Sequence, residues 1–143
     1  MPAPRQNKFT HIDEFIRILK SLVLDLWRRY PEDATIARMK KRVFLAVGAD
    51  PLFVVNAVGE YLYEYRDTVI SGDSKFFEQR DFSDDLGETE DLEKAQITEY
   101  VIPKVREAWA REDSEGQAAY VKTVQDLLYE YLDYRAIILT EGG

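Results

Sequence analysis

The chain has 143 residues, 45% of them hydrophobic, with a formal net charge of −8, one His and no Cys. This is enough apolar material for one domain with a real core, and too much for a disordered chain. The missing Cys excludes a disulfide framework, a thiol nucleophile and a Cys-type zinc site, and a lone His leaves little for imidazole chemistry, so neither a metal nor a cofactor is expected.

The charge is uneven along the chain. Residues 1–80 carry 13 basic and 11 acidic side chains, whereas residues 81–143 carry 6 basic and 16 acidic. The excess is +5 over residues 1–47 alone. No apolar run approaches the ~20 residues that span a bilayer. The opening MPAPRQNKF lacks the apolar stretch of a secretory signal. An intracellular setting is the expectation, with residues 1–9 as a flexible arm.

The first helix is predicted to start at Thr10 as N-cap, with Phe9 as a hydrophobic staple. Ile12, Phe15, Ile16, Leu19, Leu22, Val23 and Leu26 follow at helical spacing, and Pro31 ends the run. A second helix is predicted from Asp33 to Val47, stopping at Gly48. Asp50-Pro51 then reads as an N-cap with proline in the first turn, opening a third helix that carries Val54, Val58, Leu62 and Val69 to Gly72. A fourth is predicted from about Thr89 through Val101, Val105 and Trp109, with Pro103 kinking or dividing it. The last starts at Ser114, where Gln117 completes a capping box, and runs through Val124, Leu128 and Tyr131 to Ile138. Strand alternation is nearly absent. The expected fold is therefore all-α, a single-domain bundle of five or six helices over residues 10–139 with a short tail at 140–143.

Residues 81–93 hold seven carboxylates and no basic side chain. A calcium loop counted from Asp81 would need Gly at its sixth position and Glu at its twelfth, but Leu86 and Leu92 stand there. The stretch reads as a solvated connection. Phe76 and Phe77 should anchor it in a short helical turn; the alternative is that Phe76, Phe77 and Phe82 form an exposed patch for a partner. His11, in the first turn of the first helix, reads as a surface residue. Of the tyrosines 61, 63, 65, 129, 131 and 134, half should pack in the core and half remain available. The segments VGEYLYEYRD (58–67) and VQDLLYEYLD (124–133) share a pattern that duplication or convergence would produce, and both should lie centrally.

Arg38, Lys40, Lys41 and Arg42, preceded by Arg28 and Arg29, make the one basic cluster, either a solvated face or a contact for phosphate or an acidic partner. No glycine-rich phosphate loop accompanies it.

The stretch YLYEYRDTVISGDSKFFEQRDF (61–82) resembles uncharacterised small helical proteins of large double-stranded DNA viruses. In these an aromatic helix ends in a basic-acidic pair, a Gly/Asp turn and Phe-Phe. VREAWARED and YVKTVQDLLYEYLDYRA, within 105–136, are similar to the second half of the same group. The resemblance implies a virus-encoded particle component and carries over no catalytic residue. The expected function is a non-enzymatic interaction or structural module that binds a protein partner or itself, with no small-molecule substrate. The alternative is an acidic regulator that touches nucleic acid through 38–42 or mimics it toward a basic partner.

Overall fold

The computed structural model describes residues 7–78 and 92–141, with the side chains of 92–100 excepted. All regular structure among the described residues is helical: α1 (Lys8–Arg29), α2 (Ala34–Ala49), α3 (Pro51–Glu64), α4 (Arg66–Ser71), α5 (Lys75–Glu78), α6 (Leu92–Arg111) and α7 (Ser114–Glu141). None of these helices is long and apolar enough to cross a membrane.

The two longest helices, α1 and α7, lie antiparallel. Lys8 Nζ at the start of α1 is 3.1 Å from Glu141 Oε2 at the end of α7. At the opposite end the Arg29 guanidinium lies over the Tyr120 ring. The other helices complete one core, in which Phe15, Leu19, Leu26, Leu62 and Leu128 are fully buried. Leu22, Val58 and Val124 are buried with them, as the helical spacing predicts. Of the two similar segments, 58–67 begins on α3 and crosses Tyr65 into α4, while 124–133 lies within α7; Val58, Leu62, Val124 and Leu128 place both in the core.

Helix ends depart from expectation in instructive places. α1 begins earlier, because Asn7 Oδ1 accepts the Thr10 N–H at 3.0 Å and takes the capping role from Thr10. Phe9 is therefore on the helix and 63% exposed, not a staple. α2 runs through Gly48, and the break falls at Asp50. That residue closes α2 through its N–H to Ala46 O and caps α3 through Oδ1 to the Phe53 N–H. Pro51 forces this, since the residue before a proline is driven out of the helical region.

The predicted third helix is split at Tyr65, whose N–H turns back to Leu62 O in a tighter bond, while Arg66 donates to Tyr63 O. α4 then ends at Gly72, whose φ of 74° is the left-handed value expected of a helix stop. Pro103 does not divide α6. The buried side chains Val101, Ile102, Val105 and Ala108 on both sides of it hold the helix to the core. At α7 the cap is Asp113, accepting the Gly116 N–H at 2.9 Å; Gln117 instead donates to Trp109 O. Helix covers Lys8 and Phe9 at one end and Thr140 and Glu141 at the other, while residues 1–6 and 142–143 lie outside the described residues.

Candidate functional site

α1 and α2 leave a groove of about 670 Å³ between them, lined by Leu24, Trp27, Ala37, Lys40, Lys41, Phe44 and Leu45. Its position follows from the two helical periods. α2 turns Ile36, Met39 and Val43 into the core, so the neighbouring positions Ala37, Lys40 and Phe44 face sideways along α1. On α1 the stripe Leu19, Leu22, Val23 and Leu26 is buried, which leaves Leu24 and Trp27 at its flank. The walls are apolar and the rim is cationic. Lys40 Nζ sits 3.8 Å from the Trp27 ring centre and Lys20 Nζ lies 5.3 Å from that of Phe44. Such contacts hold an ammonium on an aromatic face while leaving it open to an anion. Leu45 is 64% exposed at the edge.

The basic residues do not act as one patch. Lys40 and Lys41 line the groove, while Arg38 and Arg42 stand one turn apart on an exposed face of α2. Arg38 and Lys41 make no hydrogen bond or ion pair among the described residues. Arg29 is occupied by Asp25 at 3.0 Å and by Glu112. Arg28 lines a different cleft.

Phe76 and Phe77 are 1% and 5% exposed, so the partner-binding alternative is corrected for both. Their rings meet edge to face, and Phe77 stacks on Trp109 with centroids 5.5 Å apart. Arg106 fixes this arrangement. It is buried, donates from Nε to Phe76 O at 2.7 Å and from Nη2 to Tyr61 Oη at 3.0 Å, and lies over the Phe76 ring. The role could not be read from the sequence, where Arg106 is one charge among many on an amphipathic helix. Phe82 lies outside the described residues, and so does the acidic stretch up to Asp91. Of the six tyrosines, Tyr61, Tyr131 and Tyr134 are buried, Tyr63 and Tyr65 are half-buried and Tyr129 is exposed.

A second concavity of about 460 Å³ separates α1 from α7, with Arg17, Arg28, Asp25, Asp126 and Tyr120 among its lining. The Tyr120 hydroxyl is buried without a hydrogen-bond partner among the described residues, and burial pushes its pKa up to about 12. Cations and anions line this cleft together, so it presents no single sign of charge to a ligand.

His11 is not a surface residue. It is 6% exposed, with Nδ1 2.7 Å from Glu130 Oε2 on α7. Residues 119 positions apart meet only through the antiparallel pairing of α1 with α7, which no local pattern announces.

No family model, curated protein or solved structure matches the chain.

Proposed function

We propose that the protein is a non-enzymatic interaction module whose α1–α2 groove takes an acidic, amphipathic helical segment of a protein partner. The observation that carries this reading is the Lys40 ammonium seated on Trp27 beside exposed Leu45, a cation at the mouth of an apolar groove. A groove between two helices suits a third helix that inserts two or three large apolar side chains. The excess of +5 over residues 1–47 favours acids on the flanks of that helix, and Lys40 and Lys41 are placed to meet them. The resemblance at 61–82 and 105–136 extends the reading to a particle component of a large DNA virus.

Selection from a helical peptide display library tests the proposal. Enriched sequences should carry aromatic or aliphatic residues at i, i+3/i+4 and i+7 among Asp and Glu. Their binding should fall at least about tenfold, 1.4 kcal/mol, in a Lys40→Glu/Lys41→Glu variant. Enrichment of basic or charge-neutral peptides, or equal binding to that variant, would overturn it. Binding of duplex DNA that is lost on reversing Arg38 and Arg42 would favour the nucleic-acid alternative instead.

A further inference from the structure

We propose that His11, Glu130 and Asp133 form a site for a divalent transition metal, with zinc as the ion it takes. Glu130 and Asp133 are three residues apart on α7 and so share one face. His11 comes to that face from the beginning of α1. Each of the three offers one ligand atom, and these atoms all lie within 4.8 Å of one another. Ligands at zinc distances of ~2.0–2.2 Å in a tetrahedron stand ~3.3–3.5 Å apart. The 2.7 Å between His11 Nδ1 and Glu130 Oε2 must therefore open slightly and the wider separations close.

Burial and charge support the same assignment. The imidazole is held at 7% side-chain exposure and the Glu130 carboxylate at 24%, while Asp133 is exposed at the outer edge of the cluster. Asp133 makes no hydrogen bond or ion pair among the described residues, so its oxygens are available. Two carboxylates face one imidazole, an excess of negative charge that a divalent cation offsets. Arg17 is near enough to feel the charge of Glu130, but its guanidinium is hydrogen-bonded to Glu14. One nitrogen and two oxygens with an open fourth position suit zinc, whereas calcium takes six to eight oxygens and magnesium an octahedron of carboxylate and water oxygens, neither of which favours an imidazole nitrogen. Bound there, the ion would tie the first turns of α1 to the second half of α7, and it would stabilise the folded chain by an amount that grows with the logarithm of free zinc above its Kd.

Because the chain contains one His, its imidazole signal needs no assignment. The test is titration of the metal-free, full-length protein with zinc chloride, followed by calorimetry and by imidazole nitrogen NMR. One equivalent should saturate the site, with the Nδ1 resonance moving in step with heat release. Asp133→Asn should preserve the circular dichroism spectrum and weaken binding by about 10–100-fold, the scale on which even outer-shell partners act. Calcium chloride should leave the imidazole signal in place. Zinc uptake that does not move that signal would locate the ion on other carboxylates and overturn the proposal. So would equal affinity in Asp133→Asn, or no saturable uptake.

Discussion

Gly59 on α3 lies against the ring of Tyr131 on α7, so near that a Cβ at residue 59 would fall within 3.0 Å of three ring carbons. Alanine is the better helix former by about 1 kcal/mol, yet Gly59→Ala should destabilise the protein. Overpacking of a buried ring typically costs ~1–3 kcal/mol. Tyr131 is 3% exposed and packed by Tyr63 and Tyr134, so it has little room to retreat. Urea unfolding of Gly59→Ala and of Gly59→Ala/Tyr131→Leu checks this: the second change should recover part of the loss. A more stable Gly59→Ala would contradict the close packing of α3 on α7.

The contact also marks where sequence reading runs out. Leu19, Leu62, Val124 and Leu128 are legible because burial of one helix face repeats every three or four residues. Asp50-Pro51 is legible because proline acts on its immediate neighbour. Gly48 misleads, since a glycine can remain helical when a stronger stop lies two residues on. The break at Tyr65 has no local breaker at all, and it follows from the way α4 must turn to meet α7, where Gln125 donates to Val69 O. At the site, the basic residues 38–42 stand out in sequence. Their division into a groove rim and an outer face depends on which side of α2 is buried, and Trp27 enters only when α1 is laid beside it.

Tyr120 offers a test without a packing change. Its hydroxyl has no hydrogen-bond partner among the described residues, so Tyr120→Phe removes a buried polar group that contributes nothing in return. Stability near neutral pH should be unchanged or higher by up to ~1 kcal/mol. The parent should show a larger alkaline loss than the variant. Burial holds the folded pKa at about 12 against an ordinary value of 10.0. Between those values the unfolded chain releases the proton and the folded one keeps it, so stability falls as pH rises through that window. Tyr131 is shifted in the same direction by burial and adds to the loss. Urea midpoints at about pH 9 and about pH 11 should differ less for Tyr120→Phe than for the parent.

Asp33 governs the acid side at α2. Its carboxylate accepts the Ile36 and Thr35 N–H groups and sits 3.4 Å from Lys104 Nζ. The Ile36 N–H contributes most, with Lys104 and Thr35 adding to it, and together they hold the Asp33 pKa below its ordinary value of 3.8. A lowered carboxylate pKa stabilises the fold above the unfolded value, and this stability is lost as pH falls through the folded one. Asp33→Ala should cost ~1 kcal/mol at neutral pH, as loss of a cap does. Asp33→Asn should retain most of the cap and flatten the acid limb of the unfolding profile. An unchanged acid limb in Asp33→Asn would contradict the assignment.

The proposed occupant of the α1–α2 groove is an acidic amphipathic helix. Chemical-shift mapping of a display-selected peptide on the isotope-labelled protein, at low and high salt, tests it most directly. Perturbations should centre on Leu24, Trp27, Phe44 and Leu45 and on the Lys40 and Lys41 amides. Affinity should also fall as salt shortens the screening length toward ~3 Å at molar concentration. Perturbations centred away from these residues, or binding indifferent to salt, would contradict it.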